Sequence, residues 1–137
     1  MVDTSIWIDY LRGSPAPHVD LLDALLANPL AVGITDAIYL EILQGAQHSQ
    51  AFERLRRYFC GQRFYRFDDP EHSHAAAAKI YVECRQQGIT VRSTLDCLIA
   101  QTAIEHSLIL LHNDQDFIRI AAVYPGLRHR HCRENPA

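Results

Sequence analysis

The sequence predicts an α/β protein built on a mainly parallel sheet, and two observations carry that prediction. Short apolar runs rich in β-branched or aliphatic residues, at 30–35 and 107–112, alternate with segments whose apolar residues recur at helical spacing. This is the pattern of buried parallel strands joined by crossover helices. Carboxylates also stand at strand-to-helix junctions, at Asp3, Asp36 and Asp114. Open parallel sheets place their ligands at such points, outside the carboxyl ends of the strands.

The 137 residues, 48% of them hydrophobic, suit one domain over 1–137 with a single core. No basic region followed by an apolar run opens the chain, and no stretch approaches the roughly 20 apolar residues that span a bilayer. A soluble, cytoplasmic protein with no membrane association is expected. Cys60, Cys84, Cys97 and Cys132 are irregularly spaced and lack a Cys-x-x-Cys pair, so neither a zinc ribbon nor a redox pair is predicted. Net charge is −3 and Lys79 is the only lysine. Binding of nucleic acid by bulk positive charge is excluded, leaving a local basic stripe or bound cations.

In order, Met1 and Val2 form a very short apolar segment before Asp3, and Thr4 and Ser5 are helix-capping residues. A short helix follows from Ile6 to Leu11, broken by Gly13, Pro15 and Pro17; a second runs from Val19 to Ala27, closed by Asn28 and Pro29. Leu30–Thr35 reads as a buried parallel strand, and Asp36 as the cap of the helix Ala37–Gly45. Within that helix Glu41 borders the apolar face set by Ile38 and Ile42, a costly place for a carboxylate without a partner.

Ser49–Phe59 is a helix with Phe52, Leu55 and Phe59 on one side and Arg54, Arg56 and Arg57 on much of the rest. Such arginines form a solvated face or contact phosphate or a partner. Arg63–Phe67 suits a short strand. Asp69, Pro70 and Glu71 open a long helix that Gly88 ends, with Ala75–Ala78 allowing close packing. His72 and His74, two residues apart on a helix, point to different faces and read as surface residues. The helix Thr94–His106 has Asp96 in its first turn, where the macrodipole is expected to lower the carboxyl pKa. The apolar run 107–112 precedes Asp114 and Asp116, a last helix is expected over Ile118–Val123, and an edge strand over Leu127–His131.

Each acid has a plain explanation as a cap or a solvated side chain. As a set they carry more. Right-handed crossovers bring Asp3, Glu41, Asp96 and Asp114 to one edge of the sheet. Two unit charges about 4 Å apart repel by on the order of 4 kcal/mol at an effective dielectric of 20, so the cluster requires a cation or protonation. All-oxygen ligands select Mg²⁺ or Mn²⁺, and such a cation suits in-line displacement at a phosphodiester.

These residues carry a resemblance. The opening VDTSIWIDYL, EILQG around Glu41, VRSTLDCLIA around Asp96 and LLHNDQDF around Asp114 stand in the order and spacing of a PIN-domain ribonuclease, specifically a VapC-type toxin of a toxin–antitoxin pair. The resemblance implies a PIN-like three-layer fold with a five-stranded, mainly parallel sheet flanked by helices. It implies a metal-dependent endoribonuclease using Mg²⁺ or Mn²⁺ on RNA, including tRNA or other structured RNA, a homodimer, and a cognate VapB-type antitoxin that occupies the site. Carried over by position, Asp3, Glu41, Asp96 and Asp114 are the catalytic acids. Asp3, Asp96, Asp114 and Asp116 are the metal ligands, and Thr4 and Ser5 are supports. Two positions depart from the family pattern: only Met1 and Val2 precede Asp3, and His112 stands where Thr or Ser is common.

Competing readings are a non-catalytic PIN-like scaffold, which is expected to lack acids of the quartet, and a nuclease of another PIN family. A phosphoryl-accepting receiver domain needs an early acidic pair and a Lys after its last strand, whereas Lys79 sits in an Ala-rich helix. A haloacid-dehalogenase-like phosphatase needs an acid two residues after its first Asp, and Ser5 is there instead.

Overall fold

A computed structural model describes residues 1–132 of the chain. The tail beyond them, assigned from sequence to the same domain, lies outside the described residues. The elements run α1 (Thr4–Leu11), α2 (Pro17–Leu26), β1 (Gly33–Ile34), α3 (Asp36–Gln44), α4 (Ser49–Cys60), β2 (Arg63–Phe64), α5 (Pro70–Gln86), α6 (Thr94–Glu105), β3 (Ile109–His112), α7 (Gln115–Val123) and β4 (Arg128–His131). All strand pairing is parallel, β1 with β2 and β3 with β4.

The expected five-stranded sheet appears as two parallel pairs with Met1–Asp3 between them. Val2 forms a single parallel bridge with Leu111, and its N–H donates to the carbonyl of Gly33 at 3.2 Å. Asp3 N–H donates to Leu111 and Leu111 N–H to Met1, both at 2.9 Å. Val2 makes only the one bridge, so among the described residues there are four strands. Gly33 is required here, because a Cβ would lie 2.2 Å from the Tyr65 ring and 3.2 Å from the Arg63 carbonyl.

Local chemistry places most helix starts. The Asp3 carboxylate caps α1 and Asp69 caps α5, with Pro70 at the first helical position, where a missing N–H costs nothing. Several boundaries differ from the sequence reading. Helix α1 starts at Thr4 instead of Ile6, and β2 is strand only at Arg63–Phe64 of the expected Arg63–Phe67. Pro17 begins α2 instead of breaking the chain before it. Thr35, not Asp36, caps α3, its Oγ1 accepting from Ile38 N at 3.1 Å, while Asp36 pairs with Arg66. The run from Leu30 is strand only at Gly33–Ile34, and Leu30 is 75% exposed in the turn before it. The last helix starts at Gln115, capped by Asp114.

Val2, Ile34 and Leu110 are buried in a core that continues through Ile6, Trp7, Ile38, Phe59, Ile80, Ile99, Phe117 and Ile120. Trp7 meets Phe59 edge-on at 4.8 Å between ring centroids, pinning α1 against α4. The four cysteines are free, Cys84 and Cys97 buried between α5 and α6. His72 and His74 are exposed, as expected.

Candidate active site

The extended segment Met1–Asp3 ends where α1 begins, so Asp3 is both the last residue of the sheet connection and the first cap. Its Oδ2 accepts from Ser5 N at 3.1 Å and from Ser5 Oγ at 2.6 Å, and Ser5 Oγ in turn accepts from Asn113 N at 3.0 Å. Through that hydroxyl the α1 start is tied to the loop after β3. Thr4 Oγ1 donates to Glu41 Oε1 at 3.0 Å, tying the same start to α3. The two supports picked from sequence thus bond the two acids beside them.

Three acids converge from two further elements. Asp96 stands in the first turn of α6; Asp114 caps α7 and Asp116 follows in its first turn. One carboxylate oxygen from each lies within 4.8 Å of the others. Asp114 Oδ1 accepts from Asp116 N at 2.9 Å, the bond that starts the helix. Asp116 is itself tethered, Oδ2 to Arg92 N at 3.0 Å and Oδ1 to the Arg119 guanidinium at 2.9 Å. Asp3 and Glu41 surround this triad without joining it at that distance.

Burial sets the electrostatics. Asp3 and Asp96 are 4% and 6% exposed. Burial, followed by the charges of Asp114, Asp3, Asp116 and Glu41, raises the Asp96 pKa to about 8. The sequence reading predicted the opposite sign from the helix macrodipole. A helix N-terminus contributes only about 0.3–1 kcal/mol, which desolvation and several like charges outweigh. Burial likewise raises Asp3, against hydrogen bonds from Ser5, and raises Glu41, against the hydrogen bond from Thr4. His112, fully buried beneath the loop, is held down to about 3 by burial and by His129 and His131.

The donor set fits a hard divalent cation. Several carboxylates face one another at the end of β3, with only the Arg119 ion pair to offset them among the described residues. Burial, with the neighbouring carboxylates behind it, pushes Asp96 and Asp3 toward protonation, a strain that Mg²⁺ or Mn²⁺ would relieve.

Sequence reading missed Arg119, Arg92 and His129. Arg119 lies three residues after Asp116 on α7, a helical pairing hidden by starting the helix at Ile118. Arg92 acts through its backbone N–H, which has no signature in a side-chain pattern.

An α/β domain with an all-carboxylate centre beyond its strand ends is the class that fold and site define. The chain belongs to the PIN domain family, whose profile matches residues 1–123. It is 36% identical over 124 residues to Ribonuclease VapC11 of Mycobacterium tuberculosis and to VapC ribonuclease Mb1587 of Mycobacterium bovis, covering 90% of this chain and 92% of each relative. Among solved structures, FitAB bound to the IR36 DNA fragment matches with a TM-score of 0.75 at 22% identity, over 99% of this chain and 96% of that one. DNA-bound VapBC from Salmonella typhimurium matches with a TM-score of 0.72 at 22% identity, over 96% of each chain.

Proposed function

We propose that this chain is a metal-dependent endoribonuclease, the toxin of a toxin–antitoxin pair, that hydrolyses RNA phosphodiester bonds in the cytoplasm. The observation that carries the reading is the convergence of Asp96, Asp114 and Asp116 within 4.8 Å, ringed by Asp3 and Glu41. No acid of the quartet is missing, against the expectation for a non-catalytic scaffold. The names of the curated relatives support RNA as the substrate.

Asp3, Asp96, Asp114 and Asp116 would hold the Mg²⁺ or Mn²⁺ ion. When bound, the cation supplies charge neutralisation and Lewis acidity toward the phosphodiester. Burial and the carboxylates around it favour the protonated form of Asp96, raising its pKa to about 8. Glu41, half-buried and held by Thr4, is the acid placed to take or return a proton at the edge of the site. Ser5 keeps Asp3 aimed by gripping its Oδ2 through both backbone and hydroxyl. A hollow of about 370 Å³ beside Asp116, lined by Arg92 and Arg119, offers guanidinium groups to the RNA backbone.

The antitoxin is a VapB-type partner. A groove of about 750 Å³ between α1, α3 and α4 has Ile8, Leu11, Ile42 and Leu55 on its walls and Glu41 among its lining residues. It suits an amphipathic partner segment whose Arg or Lys reaches the carboxylates. The chain acts as a homodimer. Within Ala75–Ala78, Ala77 is buried in the chain's own core, so the seam on α5 is the exposed face of Ala75, Ala78 and Val82. Light scattering that finds only monomer across micromolar concentrations removes the dimer.

The test is incubation of the purified chain with total RNA in Mg²⁺, Mn²⁺ or EDTA, with mapping of the cleaved ends. Discrete cuts that vanish in EDTA and in Asp96→Asn are expected; intact RNA under every condition overturns the reading.

A further inference from the structure

His112 is fully buried at the end of β3, and among the described residues no carboxylate bonds its ring. Its Nδ1 accepts from the Asp114 backbone N–H at 3.2 Å, and its Nε2 lies 2.9 Å from His129 Nδ1 on β4. The two rings stack with 5.1 Å between centroids and 24° between planes. An amide N–H can only donate, so His112 Nδ1 carries no proton. The neutral ring then holds its proton on Nε2, and that N–H donates to His129 Nδ1. His129 consequently carries its own proton on Nε2. The chain of donors runs in one direction, from the Asp114 amide and from His112 toward the sheet edge. His131, opposite His112 in the ladder, packs its ring 5.4 Å away and makes no bond to it.

The geometry points to His112 and His129 as a positioning pair for Asp114: His112 holds the Asp114 backbone, and His129 holds His112 in the tautomer that can do so. Asp114 has two ties within its own turn. Its Oδ1 takes Asp116 N, and its N–H is taken by His112, so the remaining oxygen is directed by the backbone that His112 anchors. Partners of this kind outside the ligand sphere change metal affinity by about 10-fold to 100-fold when removed. The inference rests on reading Asp114 as a cation ligand.

Two measurements on the whole chain test it: Mn²⁺ affinity by electron paramagnetic resonance, and the His112 tautomer by ¹⁵N NMR of the metal-free protein. The wild type is expected to show His112 with Nε2 protonated and Nδ1 bare. His112→Leu should weaken Mn²⁺ binding about 10-fold or more, while His112→Asn, whose Oδ1 can accept in place of Nδ1, should stay within about 3-fold of wild type. His129→Leu, on a half-buried position that tolerates exchange, should release the tautomer and weaken Mn²⁺ binding about 3-fold or more. His129→Asn should restore both. A protonated Nδ1 in the wild type, or Mn²⁺ binding unchanged in His129→Leu, overturns the inference even if His112→Leu fails to fold. Wild-type protein whose Mn²⁺ binding is absent or survives Asp96→Asn overturns the cation reading itself, and the inference with it.

Discussion

The Thr4 hydroxyl donates to Glu41 Oε1 at 3.0 Å, joining residues 37 positions apart across the start of α1 and the middle of α3. Glu41 is half-buried with its pKa raised by burial, and Thr4 is the donor that opposes the shift. Thr4→Val keeps the shape and removes the donor. Stability should fall by no more than about 1 kcal/mol, because Glu41 can reach solvent. RNA cleavage should fall about 10-fold, since the ionised form of Glu41 loses its support. A thermal melt and a cleavage assay on the same preparation check both; a large loss of stability with normal cleavage contradicts the role.

Replacing a site acid by its amide separates charge from shape. In Asp96→Asn the metal-free melting temperature should rise, because a buried group under repulsion from Asp114, Asp3 and Asp116 no longer needs a proton. Cleavage should drop at least about 100-fold. Mg²⁺ at about 100 times its dissociation constant should stabilise the wild type by about 2.7 kcal/mol and leave the variant unmoved. Asp3→Asn should also lose cleavage while Asn still caps α1. Asp116→Asn tests whether the acid paired with Arg119 is a ligand. Full activity in Asp3→Asn or Asp96→Asn refutes the metal site.

Proton linkage supplies a third check. Folded Asp96 titrates at about 8 against an ordinary value of 3.8, so the folded state keeps a proton that the unfolded chain has released. Its contribution to stability is present below pH 4 and is lost as pH rises toward 8. Asp96→Asn should therefore gain on the metal-free wild type as pH climbs, by up to about 1.4 kcal/mol per pH unit. His112 and the Met1 amino group, held down by burial to about 3 and about 6, act the other way, losing stability as pH falls. Both are present in each protein and cancel in the comparison. Denaturant midpoints at pH 5, 6.5 and 8 read the difference; a gap that narrows with rising pH contradicts the buried-acid account.

Arg92 contributes its backbone to Asp116 and leaves its exposed side chain to the hollow shared with Arg119. Arg92→Gln should weaken binding of uncleaved RNA and reduce the slope of log affinity against log salt by about 0.7, as loss of one phosphate contact on a single strand requires. Mn²⁺ affinity should stay within about 2-fold, since the amide on Asp116 remains. RNA titrations at several salt concentrations, in an Asp96→Asn background, measure it. An unchanged slope removes Arg92 from the RNA path.

What the sequence determined by itself is local. Asp3 stands at the end of an extended segment and caps the helix that follows, because a carboxylate reaches an N–H two residues on wherever the chain turns into a helix; Asp114 does the same, though the sequence placed that helix three residues too late. The order of the four acidic motifs was also legible, and with it the family. Tertiary structure decided the rest. It made the first strand a single bridge, Val2 to Leu111, where a family-type five-stranded sheet was expected. It reversed the expected shift of Asp96, since burial in the folded core, followed by the charges of Asp114, Asp3, Asp116 and Glu41 brought from other elements, outweighs a macrodipole that acts within one helical turn. It placed His129 of β4 against His112 of β3, a meeting that parallel pairing creates and no spacing along the chain announces.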